Sequence, residues 1–164
     1  MNTTTRSIAF GGHIYPCRIG REGAVNADLG REGDEKTPLG DYYLRFGLYR
    51  ADRLPAPQSP LTFRPLREDD GWCDASDDPA YNRFIRLPSE ISHEKLWRED
   101  GAYDVILVIS HNDSPPIAEL GSAVFVHIAQ TDDRMTMGCV ALSPEVMVKM
   151  LPHLATGMRV SIKE

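Results

Sequence analysis

The chain has 164 residues, 41% of them apolar and 26% charged, which suits one soluble domain able to bury a core without cross-links. A formal net charge of −6, with Lys and Arg scattered among the acids, excludes the concentrated positive surface that nucleic acid requires of a partner. Three widely spaced cysteines (Cys17, Cys73 and Cys139), with no CxxC or CxxH pair, exclude a disulfide framework and a structural zinc site.

In chain order, segments 7–10 and 13–19 read as short strands closed by a turn at Gly11-Gly12. The stretch from Gly20 to Gly40 is rich in Gly, Asp and Glu. It reads as a long surface loop ending in a turn at Thr37-Pro38-Leu39-Gly40. Tyr42 to Tyr49 is rich in strand-formers. From Ala51 to Pro88, prolines at positions 55, 57, 60, 65, 79 and 88 prevent long regular elements. So long a segment does not stay structureless in a compact domain, so about 51–100 is expected to be an ordered insertion that shapes a cleft. Residues 89–99 are expected to hold a helical turn or two, capped by Ser89 or Ser92.

Val105 to Ile109 is apolar at every position, the pattern of a strand buried on both faces. Ala123 to Ile128 is a second strand of this kind. Ser143-Pro144-Glu145 has the cap and first-turn proline of a helix start, and Val146, Met147, Met150 and Leu151 follow at helical spacing. Gly157 ends that region, and Arg159 to Ile162 forms a last strand. The sum is a mostly β domain, a β-sandwich or barrel-like architecture with a few short helices. No run approaches the roughly 18 apolar residues of a membrane span. The first seven residues, Met1 to Ser7, lack the apolar stretch and cleavage site of a secretory leader.

The segment most informative about chemistry runs from His127 to Leu142. A thiol is a strong nucleophile only as the thiolate, so it needs a partner that takes its proton, and an imidazole does so near neutral pH. His127 ends a buried strand, and Cys139 follows after a polar loop able to fold back. Gly138 permits a tight turn that would leave the Cys139 N–H free for a developing oxyanion. The nearby helix start at Ser143 is expected to favour the thiolate. The spacing alone leaves two other readings open: a packed thiol beside a satisfied histidine, or a fragment of a metal site. For Cys17 and Cys73 the expectation is a small buried hydrophobe. His13, His93 and His153 are expected at the surface or in structural roles.

Thr136-Met137-Gly138-Cys139-Val140-Ala141-Leu142, downstream of a strand-borne His127, resembles the catalytic signature of the L,D-transpeptidase (YkuD-like) family. Lys36-Thr37-Pro38-Leu39-Gly40-Asp41-Tyr42 is similar to the Thr-Pro-x-Gly segment of that family. The two motifs stand about 100 residues apart, as they do in the family's catalytic domain, so the likeness covers nearly the whole chain. Gly30 to Asp34, Gly71 to Asp74, Pro79 to Arg83, His111 to Asp113 and Gly121 to Phe125 resemble a compact proteobacterial branch. Ala141 departs from the pattern, because many members carry Arg there, and the histidine-to-cysteine loop is shorter than in many.

The resemblance implies a single catalytic domain over residues 1–164, acting on peptidoglycan stem peptides without a metal or organic cofactor. Cys139 would be the nucleophile and His127 its base. Thr136 and Gly138 would support them, since the family's histidine is oriented by a backbone carbonyl near that segment. Transfer to an amine would form a cross-link, water as acceptor would make a carboxypeptidase or endopeptidase, and a silent wall-binding protein would keep the fold alone. His111 and Asn112, at the end of the 105–109 strand, are candidates for the substrate side of the cleft. Trp72 and Tyr81 are candidates for its wall, and Arg31 for a bidentate contact to a stem-peptide carboxylate. No nucleotide site is expected, because the Gly-rich stretch 20–40 lacks a GxxxxGK[ST] or GxGxxG pattern. A monomer is expected. The chemistry belongs in the periplasm or cell envelope, although the visible start would otherwise suit the cytoplasm.

Overall fold

The computed structural model describes residues 1–130 and 132–164. It is mostly β, with 36% of residues in strands and 6% in helix, and it has the character of a β-sandwich. β1 (Ser7–Phe10) and β2 (His13–Arg18) form the expected hairpin, followed by β3 (Ala24–Asn26) and β4 (Thr37–Tyr49). Next come β5 (Phe63–Pro65), β6 (Asp70–Cys73), β7 (Phe84–Arg86) and β8 (His93–Lys95). β9 (Val105–Ile109), β10 (Phe125–Ile128), β11 (Val140–Leu142), the helix α1 (Pro144–Met150) and β12 (Arg159–Ile162) complete the chain. The main sheet runs β1-β2-β11-β10-β9-β4-β12, with β3 and β5 also paired to β4. A second sheet has the order β7-β6-β8.

Two sequence expectations are corrected. Thr37-Pro38-Leu39-Gly40 opens β4 instead of forming a turn, because it pairs in parallel with β3. Residues 89–99 hold no helix: His93, Glu94 and Lys95 pair antiparallel with Cys73, Trp72 and Gly71, and the Ser89 hydroxyl accepts only the nearby Ile91 N–H. Long-range pairing overrides the weak local helical signal there. Ser143 does cap α1, its hydroxyl accepting the Val146 N–H at 3.4 Å.

β4 is long because it serves two sets of neighbours. Its first half meets β12, its second half meets β9, and the register shifts between Leu44 and Phe46. Such a bulge bends the strand and lets one element turn a corner.

Two cores follow from the period of two along a strand. In β9, Val105, Leu107 and Ile109 enter one core, together with Val126, Val140, Leu142 and the α1 residues Val146, Met147 and Met150. Ile106 and Val108 enter the other, with Phe125, Trp72, Leu96 and Tyr103. The second core therefore lies between the main sheet and segment 66–103, and it is the face that carries the candidate site.

Candidate functional site

β10 and β11 run in parallel, with Val126 opposite Val140 and His127 opposite Ala141. The alternation of side chains then sets Phe125, His127 and Cys139 on one face, with Cys139 beside Phe125 and diagonal to His127. Cys139 packs against the second core and is partly exposed, whereas His127 is buried. The two residues separated by twelve positions are thus brought together, His127 within β10 and Cys139 one residue before β11.

The thiol rests in a backbone cradle. Its S–H donates to the Ala123 carbonyl at 3.2 Å, and the Phe125 N–H donates to the sulfur at 3.3 Å. Burial pushes the thiol up to about 12. His127 is held by Nδ1, which donates to the Ile128 carbonyl at 2.8 Å and so leaves Nε2 as the acceptor. Burial pushes this imidazole down to about 4. At neutral pH both partners are uncharged: a thiol that keeps its proton and a histidine free to take one.

This arrangement corrects two sequence expectations. The carbonyl that orients His127 belongs to its own neighbour Ile128, not to the Thr136–Gly138 segment. The start of α1 does not favour the thiolate, because β11 separates Ser143 from Cys139 and α1 packs into the opposite core.

The loop that presents the thiol is tied down from several sides. Gly138 has φ +125, and a Cβ there would stand 3.1 Å from the Lys36 carbonyl oxygen, so both conformation and space require glycine. Thr136 donates to the Cys139 carbonyl at 2.6 Å and accepts the Gly138 N–H at 3.3 Å. Thr37 is fully buried; its hydroxyl donates to the Gly138 carbonyl at 2.9 Å and accepts the Gly20 N–H at 2.8 Å. The two sequence motifs about 100 residues apart therefore meet at one hydroxyl. The Cys139 N–H enters no hydrogen bond among the described residues. Arg18, paired with Ala141 across β2 and β11, donates to the carbonyls of Gln130 (2.9 Å), Asp132 and Arg134 (3.3 Å) and so holds the histidine-to-cysteine loop.

Of the remaining sequence candidates, Trp72, His111 and Arg31 line two hollows, and Tyr81 and Asn112 line neither. Trp72 and His111 line a cleft of about 510 Å³ together with Phe125, Val124 and Asn82. The Trp72 ring meets Phe125 edge-on at 5.1 Å. A smaller hollow of about 30 Å³ is lined by Arg31, His111, Ser122, Met137 and Gly138. Arg31 is exposed; its backbone N–H donates to the Asp34 carboxylate at 2.9 Å, and its guanidinium donates to the Gly30 carbonyl at 2.6 Å and meets no carboxylate among the described residues. The Ser122 hydroxyl is buried without a hydrogen-bond partner. His111 is buried edge-on to Tyr42, and burial lowers its pKa. Tyr81 is buried and donates to Glu32 at 2.6 Å, which joins the 30–34 loop to segment 66–103. Asn112 is turned away from both hollows: its amide bonds to Ile117 and Gly121 and closes its own loop. Cys17 and Cys73 are buried, as expected.

Sequence reasoning missed Tyr103, Asn82 and Thr37. The Tyr103 ring stands edge-on to His127 at 5.2 Å, and its hydroxyl lies close to the Cys139 sulfur and to Glu94. Arg98 stacks on that ring at 4.9 Å. Nothing local marks Tyr103, and Asn82 stood within the Pro79–Arg83 segment without a role of its own. Thr37 stood inside a motif already singled out, and its buried hydroxyl was the signal within reach.

Residues 6–162 match the model of the YkuD family, described as the L,D-transpeptidase catalytic domain. No curated protein and no solved structure matches the chain.

Proposed function

The chain belongs to the YkuD family of L,D-transpeptidase catalytic domains over nearly its whole length, and from this we propose that it is one peptidoglycan L,D-transpeptidase domain with Cys139 as nucleophile and His127 as base. What supports the assignment of roles is the sharing of one sheet face by His127 in β10 and Cys139 just before β11, next to Phe125 of the larger cleft, with a Cys139 N–H that enters no hydrogen bond among the described residues.

In the proposed cycle a stem peptide lies along the cleft. The thiol gives its proton to Nε2 of His127 as sulfur attacks the carbonyl that follows an L-centre. The oxyanion so formed accepts the Cys139 N–H. Collapse breaks the peptide bond, and the departing amine, a terminal D-alanine, takes the proton back from His127. An acceptor amine, from a second stem, then attacks the thioester and loses its proton to His127; the C–S bond breaks and the thiol returns. Because both partners are neutral at rest, proton transfer accompanies attack and no standing ion pair precedes it. Arg31, whose guanidinium meets no carboxylate among the described residues, offers it to a stem-peptide carboxylate. Trp72 walls the cleft, and His111 flanks both hollows. Tyr81 acts indirectly, by holding the 30–34 loop. The substrate places the reaction outside the inner membrane, in the periplasm or cell envelope, with the protein acting as a monomer.

The test is incubation with disaccharide-tetrapeptides and mass spectrometry. Cross-linked dimers are expected; tripeptides without dimers would assign a carboxypeptidase instead. A carbapenem should add its mass to the wild type and not to Cys139→Ala. Cys139→Ala and His127→Ala should each lose activity by at least 100-fold. Full turnover by either variant overturns the assignment, and a protein inert in every assay would be a silent wall-binding relative.

A further inference from the structure

Asn82 is 4% exposed, and its side chain uses all of its hydrogen-bonding capacity. Its Oδ1 accepts the Trp72 indole N–H at 2.8 Å and the Ala123 N–H at 3.2 Å. Its Nδ2 donates to the carbonyls of His111 at 3.0 Å and Asn112 at 2.7 Å. One amide thus ties segment 66–103 to the two loops that flank β9 and β10. Ala123 is in the left-handed region at φ +50, which a residue with a Cβ adopts only when its surroundings impose it. Asn82 holds the peptide on the N-terminal side of Ala123, and the peptide on its C-terminal side supplies the carbonyl that accepts the Cys139 S–H, two residues before the Phe125 N–H that donates to the same sulfur. The chain of contacts is short: Asn82 fixes Ala123, and Ala123 fixes the thiol.

We propose that Asn82 is a positioning residue, which locks the left-handed backbone of Ala123 so that the Ala123 carbonyl holds the Cys139 proton between turnovers and keeps the sulfur aligned on the His127 face. The Ala123 carbonyl is then the resting acceptor of the proton that His127 takes during attack, and substrate entry moves that proton from one acceptor to the other. The proposal rests on Cys139 being the nucleophile.

Infrared spectroscopy reads this directly, because the S–H stretch lies in a region free of other protein bands and falls in frequency when the proton is hydrogen-bonded. Subtracting the spectrum of Cys139→Ser isolates the Cys139 band from those of Cys17 and Cys73. The wild type should show a low-frequency, hydrogen-bonded S–H. Asn82→Gly adopts the φ of +53 at this position without strain. It should raise the band to that of a free thiol and slow carbapenem acylation at least fivefold, with the half-saturating concentration within twofold. Asn82→Asp keeps an acceptor for the Ala123 N–H and should lie nearer the wild type in both readouts. A free-thiol band in the wild type overturns the proposal whether or not the glycine variant folds. So does a folded Asn82→Gly with an unmoved band or an unchanged acylation rate. The band is read without substrate, so a Cys139→Ala that still forms dimers would sink the functional assignment separately from this one.

Discussion

The thiol and the imidazole are displaced in opposite directions by the same cause, removal from water. The reactivity of the free protein follows. Alkylation of Cys139 by iodoacetamide should be slow at pH 7 and should rise about tenfold per pH unit up to at least pH 10, with no plateau near neutrality, because the thiolate fraction grows in that proportion below the thiol's pKa. A plateau below pH 8 would mean a standing ion pair. Thr37 is the second residue whose chemistry is exposed to test. Thr37→Val keeps the shape and strands the Gly20 N–H and the Gly138 carbonyl in the interior. The expected cost is about 1–3 kcal/mol of stability in urea unfolding, with slower acylation, and Thr37→Ser should recover most of both. At this scale the sequence was readable where chemistry comes with a motif. Cys139, His127 and Gly138 were visible in it. Asn82 and Tyr103 were not, because their positions are set by loops that meet only after folding.

Among the elements, β9 divides its side chains between the two cores. Leu107→Ala and Ile106→Ala both empty fully buried positions and should each cost about 2–5 kcal/mol in chemical denaturation. Their effects on the thiol should differ. Ile106 is the register partner of His127 and shares its face, so Ile106→Ala should also alter Cys139 alkylation, whereas Leu107→Ala should act on stability alone. Elements that bury both faces were legible, since runs such as 105–109 are apolar at every position. The three-residue strands β5, β7 and β8 were not. Their pairing is long-range, and Pro65, Glu94 and Lys95 give them no strand-like pattern. The strand reading for 123–128 began two residues early because Ala123 is held in a left-handed turn by a partner forty-one positions away.

For the molecule as a whole, the buried imidazole links the site to folding. His127 is lowered to about 4, below the ordinary 6.5 that it regains on unfolding. The unfolded chain therefore binds a proton that the folded one refuses between those values. Stability is at its full value above about pH 6.5 and declines as pH falls toward 4. Between pH 7 and pH 4.5 the wild type should lose roughly 2–3 kcal/mol more than His127→Gln, measured by urea unfolding. Equal losses would contradict the burial of the ring. The segment from about 51 to 100, read in the sequence as an ordered insertion shaping a cleft, is fastened at several points. Arg50 stacks on Trp97 at 3.6 Å and grips Asp52 through two bonds of 2.8 Å, and Asn82 rivets the middle. Its placement over the second core has a consequence for what can react. Under the proposed assignment, a thiol packed against the core that this segment covers is open to thin, flexible chain ends and closed to the broad convex flanks of folded proteins.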